Sequence, residues 1–372
     1  MQRLYDLAAA VEPTEPSAAD RARAHHLTLT KPPGSLGRLE ALGVQLSAIS
    51  GSVPPPAPRP GVVAVFAADH GVHAEGVTPW PQEVTAQMVA NFCGGGAAIN
   101  AIASTNGLQL AVVNAGVSVP VDNHPLLTNT PIRPGTANLA QGPAMSHDEA
   151  VAAVALGAEI AERHLNAGAA CLITGDMGIA NTTASAAIIA AVTGRSAPAM
   201  TGRGTGIDDA MLAHKTAVIA GALARASTRL GELGVGPDAT APATAEAAVE
   251  AGVGLQAEIG GLEIAALAGF CLGGARGRVP VIVDGVIALA GAVTASVIQP
   301  AVGDYLVAGH LSVEPAAAAA VEHLGLDPLL DLGCRLGEGS GAALAYPLVR
   351  AAAQIMTSMA TFDAAAIDGP SD

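Results

Sequence analysis

The chain has 372 residues, of which 17 are basic and 32 acidic, for a formal net charge of −15. That balance excludes a nucleic acid partner, because phosphate backbones are held by clustered Lys and Arg. Hydrophobic residues make up 51% and aromatic ones only 2%, so small aliphatic side chains must fill a large core, in one large domain with a smaller one or in two domains.

Taken in chain order, residues 1–28 read as alanine-rich helix. The first residues lack a charged region followed by an apolar run, so no signal peptide is expected. Residues 31–40 begin as an extended turn at Lys31-Pro32-Pro33 and enter a helix after Ser35. The proline-rich stretch 54–60 is a stiff connector into a first strand. Apolar β-rich runs then recur at 62–66, 110–113, 170–174, 279–283 and 305–308, with a weaker sixth near 329–332. The helical stretches are 84–103, 147–165, 181–192, 208–230, 244–253, 258–272 and 314–324, and 340–360 is helical again. Continuous apolar strands alternating with helices predict an α/β fold. It is a Rossmann-like parallel sheet of about six strands, covered by helices on both faces. The terminal segments, 1–28 and 340–372, add no strand and are expected to form a small helical domain beside a catalytic domain at 29–339. The last residues, 368–372, are expected to fray.

Mean hydropathy is +0.44, which raises the question of a membrane span. The best candidate, 286–302, is short and carries Thr294, Ser296, Gln299 and Pro300. It reads as a buried helix following a strand. Cys93, Cys171, Cys271 and Cys334 lie far apart with no CxxC pair, so neither a disulfide framework nor a zinc site is indicated. A cytoplasmic protein without a membrane segment is expected.

In sheets of this kind ligands bind beyond the carboxyl ends of the strands. Those ends carry Asp69, His70, Asp176, Asp284 and His310. Residues 175–183 follow the third run, where Gly178 lets a ligand approach the backbone and Asn181, Thr182 or Thr183 can cap a helix. The glycine-rich stretch 201–209 precedes a long helix carrying Lys215, one of only two lysines. It is neither a Walker loop nor a dinucleotide fingerprint, and it reads as a phosphate wrap or as a flexible loop. Residues 69–76 hold two histidines and two acids without a helical H-x-x-x-H frame, so hydrogen-bonded scaffolding is preferred to a metal site. Trp80 either walls an aromatic pocket or fills a gap. Ser312-Val313-Glu314-Pro315 is a further capped helix start at a strand end. Glu338 stands between Gly337 and Gly339 ahead of a helix. It reads either as an acid near a helix dipole or as a general base brought close to a ligand by its small neighbours.

In order, the segments are KPPGSLGRLE at 31–40, ADHGV at 68–72, EGVTPWPQEVTAQMV at 75–89, GGGAAIN at 94–100, GDMGIANTT at 175–183, TGRGTGIDD at 201–209 with His214-Lys215, VDGVIAL at 283–289, Ser312 with Glu314-Pro315, and RLGEGSGAALA at 335–345. Together they resemble the nicotinate-nucleotide–dimethylbenzimidazole phosphoribosyltransferases over about residues 31–359. The resemblance implies transfer of the phosphoribosyl group of nicotinate mononucleotide to 5,6-dimethylbenzimidazole for the lower ligand of cobalamin. It implies Glu338 as the base that takes the azole proton, Asp176 and Lys215 at the nucleotide, and Gly178, Gly204 and Ser312 near its phosphate. Thr78, Gln87 and Leu336 would line the benzimidazole pocket. Members often have Glu where this chain has Asp176. A homodimer that needs no metal or other cofactor is implied as well. Two rival readings are transfer to another azole or a purine base, and a nucleotide-binding protein without catalysis.

Overall fold

Residues 61–68 are Gly or apolar at every position, and all eight are buried. A strand with both faces apolar must be covered on both faces. A computed structural model describes residues 1–204, 206–237 and 242–368. It contains a sheet of six strands, β1 (Gly61–Ala68), β2 (Gln109–Gly116), β3 (Leu127–Asn129), β4 (Cys171–Met177), β5 (Val281–Val283) and β6 (Leu306–Ala308). Their spatial order is β3-β2-β1-β4-β5-β6 and every pairing is parallel.

Alternate residues feed two hydrophobic cores. Ala64, Phe66 and Leu172 join one, with the helices His147–Asn166, Asn181–Thr193, Ala245–Ile259, Leu262–Arg276 and Val286–Ile298. Val63, Val65, Ile173 and Ile282 join the other, with Val84–Gly94, Ala98–Asn106, Arg38–Ser50 and Ser340–Ser358. Glycine allows very close helix packing where large side chains are scarce. A Cβ on Gly157 would lie 1.7 Å from the Ala266 carbonyl oxygen, and one on Gly269 would lie 1.8 Å from that of Val154. Val286–Ile298 is a buried helix after β5, as its sequence predicts. Among the described residues no helix is long and apolar enough to cross a membrane.

Three expectations are corrected. The segment near 329–332 is not a sheet strand, since Leu330 forms only an isolated bridge with His310. The sixth strand is the three-residue β3, on the far edge beside β2. Its exposure to solvent left it without an apolar run to mark it. The stretch 84–103 is two helices, Val84–Gly94 and Ala98–Asn106, divided at Gly94-Gly95-Gly96, where Gly95 has φ +80°. The stretches 244–253 and 258–272 instead run Ala245–Ile259 and Leu262–Arg276, so the break falls at Gly260-Gly261.

The chain ends meet. Leu29 bridges Thr361 antiparallel, Thr30 N–H donates to the Ala360 carbonyl at 3.0 Å, and the His25 ring lies 2.8 Å from the Met356 carbonyl. The Gln2–Ala9 helix packs on the first core through Leu4, Leu7 and Ala8. Of the segment expected to fray, 369–372 lies outside the described residues, as does Thr205 in the glycine-rich stretch.

Candidate active site

The strand order reverses between β1 and β4, and a crevice opens beyond the carboxyl ends of strands at such a point. A cavity of about 270 Å³ lies there. Trp80, Val84, Met88, Ile179, Ile287 and Leu336 give it apolar walls, while Asp176, Ser312 and Glu338 bring polar groups. A larger groove of about 600 Å³ runs between the Arg38–Ser50 helix and β6. It is less suited to chemistry, because its charged groups, among them Arg38 and Asp327, are exposed and paired with one another.

Glu338 sits on a strained turn. Gly337, Glu338 and Gly339 have φ of +85°, +63° and +84°. Two glycines take these angles freely, whereas an L-glutamate in the left-handed region costs roughly 1–2 kcal/mol. Close packing holds the turn. A Cβ on Gly175 would lie 2.7 Å from the Glu338 carbonyl oxygen, and one on Gly339 would lie 2.9 Å from that of Thr174. The Glu338 carboxylate accepts one hydrogen bond, from Ile99 N–H at 3.3 Å in the first turn of the Ala98–Asn106 helix. Burial pushes its pKa above the usual carboxylate value; the Ile99 bond opposes this and the charge of Asp284 adds to it.

Asp176 faces the same turn and is 5% exposed. Its Oδ2 accepts from Asn181 Nδ2 at 3.1 Å, while Oδ1 has no partner among the described residues. Burial, together with the negative charges of Asp284, Glu263 and Glu338, lifts its pKa well above the ordinary range. Asn181 is therefore not a helix cap. Ala180 holds the N-cap position of Asn181–Thr193 with φ +77° and no side-chain bond, and Asn181 turns to the carboxyl group. Gly178 packs so tightly that a Cβ would lie 2.5 Å from the Ala68 carbonyl.

The opposite end is built by glycine backbone. Gly204 N–H donates to Glu314 Oε1 at 2.8 Å and its carbonyl accepts from Arg335 Nη1 at 2.9 Å. Ser312 Oγ accepts from Glu314 N–H at 3.4 Å. Lys215, 2% exposed, stands behind this wall and donates from Nζ to Thr182 Oγ1 at 2.7 Å. A Gly204 side chain would begin 3.7 Å from that ammonium. Burial lowers the Lys215 pKa to about 8, against the pull of Glu314.

Six of the nine residues singled out from the sequence line the cavity together: Asp176, Gly178, Gly204, Ser312, Leu336 and Glu338. Lys215 touches the site through Thr182. Thr78 and Gln87 are not among the lining residues. Thr78 Oγ1 accepts from Trp80 N–H at 3.4 Å, and Gln87 is exposed on the Val84–Gly94 helix. Their neighbours Trp80, Val84 and Met88 form that wall instead. Sequence reasoning missed the roles of Ile99, Glu314 and Arg335. The one signal for Ile99 is the run Gly94-Gly95-Gly96, which divides the stretch read as a single helix and starts the helix that carries Ile99. The Asp69-His70 segment is tied into scaffolding. His70 Nε2 lies 2.6 Å from Glu263 Oε1 with both side chains fully buried, and Asp69 Oδ2 accepts from Ser118 N–H at 2.7 Å. Burial alone would lower the His70 pKa, but Glu263 and Asp69 hold it above its ordinary value.

Comparison with known proteins points the same way. Residues 11–367 match a family model described as phosphoribosyltransferase. The nicotinate-nucleotide–dimethylbenzimidazole phosphoribosyltransferase of Salinispora tropica is 46% identical over 96% of this chain and 97% of its own length. That of Chloroflexus aurantiacus is 47% identical over 96% of each chain. The crystal structure of CobT from Thermus thermophilus superposes with a TM-score of 0.87 at 45% identity, covering 95% of this chain and 100% of that one.

Proposed function

The chain belongs to the nicotinate-nucleotide–dimethylbenzimidazole phosphoribosyltransferase family, and from that premise we propose that it moves the 5-phosphoribosyl group of nicotinate mononucleotide to 5,6-dimethylbenzimidazole. The products are α-ribazole 5′-phosphate and nicotinate, and the first of these supplies the lower ligand of cobalamin.

The chemistry needs one base. The unprotonated ring nitrogen of the azole attacks C1′ of the ribose, forming a C–N bond on the face opposite the pyridinium. The old C1′–N bond breaks and its electron pair returns to the pyridinium ring, so nicotinate leaves without an acid to assist it. The alkylated azole is then a cation with one ring N–H, and Glu338 takes that proton. A carboxylate whose pKa burial has raised is a stronger proton acceptor than a free one. Its negative charge also stabilises positive charge developing at C1′. Such a base accounts for roughly 10²–10⁴-fold, and positioning of the two substrates supplies much of the rest.

The observation that carries this reading is Glu338 itself, a carboxylate on a strained turn between an apolar wall and a glycine-built one. The flat azole fits the side of Trp80, Met88 and Leu336, with Thr78 and Gln87 at its rim. The nucleotide fits the side of Gly178, Gly204 and Ser312, with the Lys215 charge behind them. Asp176 Oδ1, without a partner among the described residues, faces the sugar. Phosphate reaching the Gly204 N–H takes the place of the Glu314 carboxylate, which holds that donor in the free protein. We also propose that residues 1–28 and 340–372 act as one small helical unit on 29–339, supported by the His25 ring, which lies 2.8 Å from the Met356 carbonyl. A homodimer belongs to the same reading, supported by the exposed Val313, Leu332 and Leu336. So does a cytoplasmic setting, supported by four free thiols.

The test is Glu338→Gln, assayed by mass for ribazole phosphate with dimethylbenzimidazole, benzimidazole and adenine as acceptors. Turnover falls at least ~100-fold while nucleotide binding persists. Near-normal turnover overturns the assignment of the base.

A further inference from the structure

The turn bearing Glu338 is anchored from outside by a residue that does not line the cavity. Asp284 follows β5 and is 1% exposed. Its Oδ2 accepts from Gly339 N–H at 3.2 Å and its Oδ1 from Ala342 N–H at 2.9 Å, so one carboxylate bridges the turn and the first turn of the Ser340–Ser358 helix. The aspartate is fixed in its place. Its own N–H donates to Thr174 Oγ1 on β4 at 3.0 Å, and His310 Nε2, after β6, stands 3.4 Å from Oδ1. The His310 ring in turn fills the space beneath Gly341, where a Cβ would lie 2.0 Å from Cδ2. The middle of β4 and the ends of β5 and β6 thus converge on the backbone that aims Glu338.

We propose that Asp284 is a positioning residue for the transfer, its buried carboxylate holding the Gly337–Glu338–Gly339 turn in the left-handed geometry that presents Glu338 to the azole. This rests on Glu338 being the base. Geometry alone argues for a carboxylate here. Two backbone donors from different residues converge on two oxygens. An amide at the same place offers one acceptor oxygen and turns its own N–H groups against the second donor. The turn also stores strain, and a strained backbone persists only while its surroundings over-determine it.

Asp284→Asn, which keeps shape and volume, is the test. Turnover falls on the order of 10–100-fold, since a small misplacement of a catalytic group has that effect. The nucleotide KM changes by less than about threefold, because Asp284 makes no contact in the cavity. Glu338 shares the cavity with Asp176 of β4, His310 after β6, Glu314 and Arg335 of its own loop, and the charge of Asp284 after β5 acts on it. Removing the Asp284 charge also moves the acid limb of the turnover–pH profile to lower pH, because that charge opposes ionisation of Glu338. A generally loosened protein would lose activity at every pH and keep the limb in place. Turnover within twofold of the parent, or an unmoved limb, overturns the proposal. Amide exchange at Gly339 and Ala342 is the second measurement, made on the parent protein and so independent of whether the variant folds. Slow exchange at both supports the clamp, and exchange as fast as at an open helix start overturns it. Glu338→Gln run alongside separates the two failures. If that variant stays active the base reading falls, while the amide exchange still decides whether Asp284 clamps the turn.

Discussion

Lys215 predicts an exchange of stability for substrate binding that Lys215→Met exposes. The ammonium is 2% exposed, and among the described residues no carboxylate lies within ion-pair distance of it. Burial lowers its pKa from 10.5 to about 8. At about 1.4 kcal/mol for each factor of ten in proton affinity, the free protein loses about 3 kcal/mol by keeping this group charged. The sign follows from the direction. The unfolded chain holds the proton more tightly, so the loss is complete below about pH 8 and fades as pH rises towards 10.5. Methionine removes it but leaves Thr182 Oγ1 without its donor, which costs about 1 kcal/mol. The net gain near pH 7 is about 2 kcal/mol. With unfolding entropy of about 2.1 cal/mol/K for each residue of the 372-residue chain, that raises Tm by about 2–3 °C. Binding moves the other way. Losing the proposed charge-assisted interaction with the nucleotide, about 1.5–3 kcal/mol, raises the nucleotide KM roughly 10–100-fold, with the azole KM changed far less. In the parent, kcat/KM for the nucleotide declines above about pH 8 as Lys215 loses its proton, and the variant lacks that limb. Thermal melts at pH 7 and 10, with initial rates over both substrates, check every part. A variant that melts lower at pH 7, or whose azole KM rises more than its nucleotide KM, refutes the reasoning.

Two further outcomes follow from the turn that holds the base. The turnover–pH profile has an acid limb above pH 4.5, because burial raises Glu338 and its protonated form cannot accept the azole proton; a limb at or below the usual carboxylate range would contradict this. Gly175→Ala places a methyl 2.7 Å from the Glu338 carbonyl and 3.0 Å from Val65 Cγ2. It therefore lowers turnover on the order of 100-fold with little change in nucleotide KM, and unchanged turnover at that position would show that the turn tolerates displacement.

What was legible in the sequence follows from what each element buries. β1, β2 and β4 to β6 are apolar runs that end in glycine or an acid, because both faces are covered and the ends open on the site. β3 is a three-residue edge strand with an exposed end, and nothing in Leu127-Thr128-Asn129 separates it from a loop. The segment near 329–332 has the apolar residues of a strand but forms one isolated bridge only, to His310 just past β6. Helix breaks were misjudged where glycine serves two purposes. Gly252 and Gly254 pack against Ile298 and Leu233 inside a continuous helix, whereas Gly260 and Gly261 end one and cap the next.

The same distinction governs the site. A residue that declares itself locally was legible: Glu338 by the glycines beside it, Lys215 as one of two lysines, and Asp176 at a strand end. Residues whose task depends on a distant partner were not. Asp284 was visible as a strand-end acid, but its task exists only because Gly339 and Ala342 lie 55 and 58 residues further along the chain and fold back onto it. Ile99 contributes nothing but its N–H, over a separation of 239 residues, so no side chain could announce it. The proposed base therefore stands out within seven consecutive residues, 335–341, whereas its orientation is a property of the sheet. Three strands, β4, β5 and β6, must be in register before Thr174, Asp284 and His310 can meet beneath one turn. That dependence explains how the proposed catalytic carboxylate can stand on a turn too strained to hold its own shape. Its geometry is imposed by buried residues at the sheet, Thr174, Asp284 and His310, where the backbone has little freedom to relax.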